Sequence, residues 1–434
     1  MRFLDFITEK KLLDIYNEKI AYTTSVGIDK VNNYEFKKNI IRNIKGIIRD
    51  ISQNQYKFKN FKIILIPKNT QSMPRKVCVP TIRDRIVIEA LKEYMYTCYE
   101  ECSLNFGISN LISKFVDTYN GGSYKKYIKS DLTTFFDTIN HKKLINKVRK
   151  KVEDNVAISM LEKVLENGQA YKDEPIQKNS IGVPQGLSIS MLLANIYMID
   201  TDRKFDKLEN IQYYRYVDDI IIFCNKNAFF YYLKLKFEIV KNGLKLNRKK
   251  TEISKIHHPF TFLGYSLKED CISVKKQSIQ KLENSIERLF KRYKNNNNEK
   301  ELVWRLNLRI SGAICDNKKY GWLFYFNKIN DLKLLYHLDN LIVKLKKRYN
   351  VENINNKTFV ESYYQIKKRN INNNNYFFNV NKTQKKEKQN ILINIGNFEE
   401  SVVKNLSYKE LNYNYRRVVF RCLKSLEMDL DTIS

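Results

Sequence analysis

No stretch of this chain approaches the roughly 20 consecutive apolar residues of a membrane-spanning helix. The opening run, MRFLDFITEKKLLDIY, interrupts its apolar positions with charges, so it reads as a short amphipathic helix and not as a secretory leader. Cysteines are few and scattered: Cys78, Cys98, Cys102, Cys224, Cys271, Cys315 and Cys422. Cys98 and Cys102 could share a helix face, but no further Cys or His pair lies nearby to complete a zinc site. Reduced thiols in a cytoplasmic protein are expected. No tandem repeat occurs at the usual periods. Acidic residues are in deficit, 47 Asp and Glu against 78 Lys and Arg, for a formal charge of +31. A lysine-rich genome biases composition this way, yet an excess of this size favours a polyanionic partner. No basic helix backed by a lipid-facing apolar stripe is legible, so no membrane partner is expected.

What is present is a chain of 434 residues, 43% hydrophobic, long enough for two or three domains and a large core. FKIILIPK (61–68) and RKVCVP (75–80) read as paired strands, and 84–102 as one helix with apolar spacing of three and four. YKKYIKSDLTTFFDTI holds a strand running into a helix start. SISMLLANIYMIDTDRKF (188–205) is a long, nearly all-apolar helix, and IQYYRYVDDIIIFC a hairpin of two strands. Two asparagine-rich patches, 294–300 and 369–390, read as solvated loops.

Chemistry concentrates on the strands. Asp131 sits where a strand ends and a turn begins, and Asp218 and Asp219 sit at a hairpin tip. Neighbouring strands could therefore bring three carboxylates together. Carboxylates repel one another unless cations neutralise them, and oxygen ligands suit magnesium. Two such ions can activate a hydroxyl and stabilise a departing pyrophosphate, which is nucleotidyl transfer. Three unrelated surface aspartates are the competing reading. Between these carboxylates lies IGVPQGLSIS, where Gly182, Pro184 and Gly186 impose a tight turn that lets backbone approach a ligand closely. Gln185 within it could hydrogen-bond a base pair or sugar.

The order of these motifs resembles prokaryotic reverse transcriptases, the group that includes intron-encoded, retron and defence-associated enzymes. VGIDKVNNYEF (26–36) is similar to their N-terminal Gly-x-Asp motif, and 66–87 to the fingers hairpin and its following Asp-Arg helix. SDLTTFFDTINHKKL (130–144), GVPQGLSISMLLANIYM (182–198) and YRYVDDIIIF (214–223) resemble motifs A, B and C. LKLNRKKTEI (244–253) and FTFLGYSL (260–267) resemble D and E. The resemblance covers about residues 25 to 270. It implies an α+β right-hand polymerase: fingers and an antiparallel-sheet palm over 1–269, a helical thumb over 270–350, and a basic, mostly helical extension over 351–434. Asp131, Asp218 and Asp219 would hold two magnesium ions, with manganese as the alternative. Lys68 and Arg75 would meet the triphosphate of a dNTP, and Gln185 and Gly186 the nascent pair. Gly182 and Pro184 would shape that pocket. Phe136 would floor the 2′ position and favour deoxyribose, with Asp137 and His141 outside the metal site. Lys250 would donate a proton to pyrophosphate, with Lys249 as its rival. Phe262, Leu263 and Gly264 would grip the primer end.

Beyond Tyr265 the resemblance thins to a cationic helix at 275–294 and an aromatic-rich segment at 302–349. Trp304, Trp322, Phe324 and Tyr325 there could stack bases, with core packing the stronger expectation. No HNH endonuclease or zinc tail, no RNase H carboxylate set and no Phe-Arg-Pro-Gly-Arg string is seen. The expected activity is RNA-directed DNA synthesis on a structured, adjacently encoded non-coding RNA in antiphage defence, with RNA template, DNA primer or product and dNTPs as partners. Homo-oligomerisation is allowed. The alternatives are a group II intron or retron-type enzyme, protein-primed or non-templated synthesis, and a non-catalytic RNA-binding module.

Overall fold

A computed structural model describes residues 1–66, 74–104, 107–171, 180–368 and 375–430 of the chain. Its strands follow the period-two runs of β-branched and aromatic residues. β1 (Phe61–Ile66) and β2 (Arg75–Val79) pair antiparallel with Ile64 opposite Val77. Thr81 then caps α1 (Ile82–Cys98), its hydroxyl accepting from Asp84 N–H. The single helix expected over 84–102 is broken at Tyr99, which leaves helical geometry; its hydroxyl donates to the Lys147 carbonyl at 2.7 Å. A short further helix follows at Glu100–Leu104.

The central sheet contains β3 (Lys126–Asp131), β5 (Ile211–Tyr216), β6 (Asp219–Cys224) and β7 (Glu252–Lys255), while β4 (Gln169–Ala170) pairs with β1 instead. Its order is β5-β6-β3-β7, antiparallel throughout. Ile220 to Phe223 on β6 are fully buried, so this strand is covered on both faces. Helix α2 (Ser190–Asp206), apolar around most of its circumference, is correspondingly buried. Helix α3 (Ala228–Lys241) behaves differently. It buries Ala228, Leu235 and Ile239 but leaves Phe229, Phe230, Leu233, Phe237 and Val240 exposed. This exposed apolar face was not legible in the sequence. Both faces of AFFYYLKLKFEIVK are apolar, and sequence alone does not say which face the core takes.

These elements form one compact unit, Met1–Ile256, and residues His257–Ser434 form a second. The second opens with the antiparallel strands β8 (Phe260–Phe262), β9 (Tyr265–Lys268) and β10 (Cys271–Val274), so residues 257–269 pack with the helices that follow. Tyr265 fixes this sheet by donating to the Tyr325 carbonyl at 2.6 Å. α4 (Lys276–Asn296) runs into the first asparagine patch, which is a turn of two residues rather than a loop. Asn297 takes the left-handed conformation that ends α4, and Asn298 caps α5 (Glu299–Ser311) by accepting from Glu301 N–H. β11 (Ala313–Cys315) pairs with β12 (Lys318–Tyr320) and, across the boundary expected at 350, with β13 (Phe378–Asn379). The second patch runs into a helix, Lys385–Asn394, while 369–374 lie outside the described residues. Trp322 and Phe324 are buried as core residues, and Trp304 packs edge-on to Phe378.

Candidate active site

Asp131 is the last residue of β3 and Asp219 the first of β6, and the two stand opposite one another in register. Tyr216, ending β5, is the neighbour of Asp219 on its other side, so Val217 and Asp218 form a two-residue turn. Val217 has φ +57°, a conformation a β-branched residue adopts only under constraint. The constraint is visible. The Val217 carbonyl accepts from Arg215 Nη1 at 2.9 Å, and the Asp218 carbonyl accepts from Leu132 N–H at 3.0 Å. Arg215 has a side chain only 5% exposed, and its Nε donates to Asp202 Oδ1 of α2 at 2.8 Å. Tyr213 donates to the same oxygen at 2.8 Å. Burial disfavours the guanidinium charge, but the Asp202 carboxylate outweighs it and holds Arg215 above its ordinary pKa. Neither Asp202 nor Arg215 was anticipated from the sequence. The available signal was an arginine inside an aromatic strand and a carboxylate closing an apolar helix, since buried charges are seldom unpaired.

The carboxylates load this corner with negative charge. Burial first, then Asp218 and Asp131, raise the Asp219 carboxyl to about 6. Lys250 answers part of that charge, its ammonium lying 2.6 Å from Asp131 Oδ2. Its segment is tied down beside β3, where Asn247 N–H donates to the Asp131 carbonyl at 2.7 Å. Lys250, not Lys249, is thus the lysine at the carboxylates. Among the described residues no three Asp, Glu, His or Cys side chains converge closely enough to hold an ion as they stand. The donor chemistry nevertheless fits a hard divalent cation: carboxylate oxygens from adjacent strands, whose crowded negative charge a bound cation would offset.

The glycine turn seats against two other elements. Gly186, at φ +95°, has no room for a Cβ, which would lie 2.5 Å from Val77 Cγ1 and 2.9 Å from the Cys78 carbonyl of β2. The Gln185 carbonyl accepts from Cys78 N–H at 2.7 Å. The Gln185 side chain accepts from Arg75 Nε at 2.7 Å and donates to Asp137 Oδ1 at 3.3 Å. Burial lowers the Arg75 pKa, and the charges of Asp218 and Asp137 offset that only in part. Gly182, at φ +90°, presses on the Asp137 backbone, and its carbonyl meets His141 Nε2 at 2.6 Å. His141 thus braces the glycine turn. Val183 N–H donates to the Phe136 carbonyl at 2.7 Å, and the Phe136 ring is 9% exposed at the edge of the core. Pro184 is buried, its carbonyl accepting from Ser190 at 2.7 Å.

Two further expectations concern Lys68 and the Phe262–Gly264 turn. Lys68 falls outside the described residues. Phe262, Leu263 and Gly264 belong to the second unit, where Phe262 and Leu263 are buried and the turn is fixed by Tyr325 donating to the Leu263 carbonyl at 3.1 Å.

Residues 66–267 match the family described as reverse transcriptase (RNA-dependent DNA polymerase). A putative COX1/OXI3 intron 2 protein of Saccharomyces cerevisiae is 27% identical over 216 residues, 48% of this chain and 25% of that protein. The group II intron-encoded protein LtrA of Lactococcus lactis subsp. cremoris is 26% identical over 207 residues, 45% of this chain and 34% of LtrA. Protein YkfC of Escherichia coli is 25% identical over 56% of this chain and 75% of its own length. This chain thus spans only a quarter to a third of the two intron proteins. Apo telomerase from Candida tropicalis is similar at a TM-score of 0.37 and 17% identity, covering 58% of this chain and 63% of that one.

Proposed function

We propose that this chain, whose residues 66–267 form a reverse transcriptase domain, is an RNA-directed DNA polymerase. The observation that carries the reading is the register of Asp131 against Asp219, with Asp218 in the constrained turn between β5 and β6. Asp131, Asp218 and Asp219 would hold magnesium, or manganese in its place, whose charge would offset the carboxylates and the triphosphate of the incoming dNTP. Arg75, with Lys68, meets that triphosphate, since a guanidinium suits bidentate phosphate contact. Gln185 and the glycines around it present backbone to the nascent pair. Phe136 closes the space beneath the sugar's 2′ position. Lys250, already at Asp131, is the proton donor to departing pyrophosphate. The backbone of the Phe262–Gly264 turn steadies the primer end.

The test is dNTP incorporation on an RNA template with a DNA primer in magnesium. Wild type should extend the primer, while Asp218→Ala and wild type in EDTA should not. Equal incorporation by wild type and Asp218→Ala would remove these residues from the chemistry.

The template we propose is a structured non-coding RNA encoded beside the gene, copied into DNA in defence against phage. The intron-encoded relatives favour a second reading, in which the template is an intron RNA. Sequencing the nucleic acids that co-purify with the protein separates the two. A structured RNA from the adjacent locus supports the first, and intron sequence replaces it with the second.

A further inference from the structure

Helix α3 turns an apolar stripe to solvent. Phe229 is 64% exposed, Phe230 60%, Leu233 45%, Phe237 66% and Val240 59%. At 3.6 residues per turn these five fall within about 100° of arc on a single face. Lys236 lies along one edge of that face and Lys241 along the other, both exposed. The opposite face is committed to the first unit's core through Ala228, Leu235 and Ile239. Glu238, the only acid of the helix, is turned inward onto Lys204.

With aromatic side chains of roughly 150–250 Å² each, the exposed part of the stripe amounts to on the order of 500 Å². That is at the upper end of what soluble monomers show to water, and such patches mark interaction sites. We infer that α3 is a homodimer interface, packing antiparallel against α3 of a second copy. The area argues for it. Two such stripes bury on the order of 1,000 Å² before the lysine stems are counted, which is where specific interfaces begin. The placement of charge argues for it as well. The lysines line the edges and none interrupts the centre, so a twofold helix pair would close over apolar groups while the ammonium groups reach outward to water. A lipid surface is the competing occupant, and the vesicle arm of the test separates the two.

The edge lysines give this dimer an unusual signature. Like charges meet across it, so association should strengthen as salt rises and the Debye length shrinks from about 30 Å at 0.01 M to about 3 Å at 1 M. Light scattering of the full chain should show twice 51.8 kDa at high salt and a falling mass toward low salt. Phe237→Lys should leave the chain monomeric at every salt concentration, with unchanged circular dichroism, while Phe237→Leu should still dimerise. A wild type that is monomeric throughout, or a dimer indifferent to Phe237→Lys, overturns the inference. So does a monomer that floats with phosphatidylglycerol-containing vesicles through Phe237, since the occupant is then lipid. None of these readouts depends on polymerase activity.

Discussion

Two side chains behind the carboxylates, Asp202 and Arg215, set the shape of the turn that carries Asp218. Breaking a buried ion pair by removing one partner typically costs about 3–5 kcal/mol, whereas replacing both with apolar groups of similar size is often neutral. Arg215→Met alone should therefore lower stability and primer extension together. The double variant Asp202→Leu with Arg215→Met should regain most of the melting temperature yet remain slow. The missing donor is then the one that holds the Val217 carbonyl at 2.9 Å. Measuring Tm and kcat for the same three proteins checks this. If the double variant regains full kcat, the pair is only structural. Phe136 makes a separate residue-scale prediction. Phe136→Val should relax discrimination against ribonucleotides by about 10- to 200-fold, the range one lost steric contact supplies, read as the ratio of kcat/KM for dNTP and rNTP.

Among the elements, the approach of the glycine turn to β2 and the C-terminal turn of α2 are each exposed to a simple perturbation. Gly186→Ala places a methyl 2.5 Å from Val77 Cγ1 on a backbone at φ +95°. The turn must move off β2, and with it the Gln185 to Arg75 hydrogen bond. Expected is a rise in KM for dNTP exceeding the loss in Tm, measured by steady-state extension and thermal melting. At the end of α2, burial first and the Asp202 charge second raise the Asp206 carboxyl to about 6. A carboxyl raised above its unfolded value of about 3.9 stabilises the fold while protonated. That contribution is complete below about pH 4 and is lost as pH rises through 6. Asp206→Asn should thus raise Tm at pH 8 and leave it nearly unchanged at pH 4. A gain of equal size at both pH values would dismiss the electrostatic cause.

For the whole molecule, an excess of 31 positive charges makes polyanion affinity a matter of counterion release. Binding of a generic RNA duplex should weaken by about 10³- to 10⁵-fold between 50 and 200 mM salt if six to ten phosphates are neutralised. Filter binding across that range tests it, and a flat salt response would mean that phosphate contacts do not dominate. This trend runs opposite to the one expected for the α3 pair, so the two effects are separable in one salt series.

Much of the central sheet was readable from residue order alone. Runs of β-branched and aromatic residues placed β3, β5 and β6, the two-residue spacing fixed the hairpin, and strand ends located Asp131 and Asp219, because strand preference and turn chemistry are local. The break at Tyr99 needed neighbours distant in sequence to decide it. So did the pairing of Asp202 with Arg215 and the choice of Lys250 over Lys249. The outward face of α3 is the clearest case. Its sequence is apolar on both sides, and only the packing of Leu235 and Ile239 against the core determined that Phe229, Phe230 and Phe237 would meet water. Periodicity says that a helix has an apolar face; which face is buried is settled by what the rest of the chain brings against it.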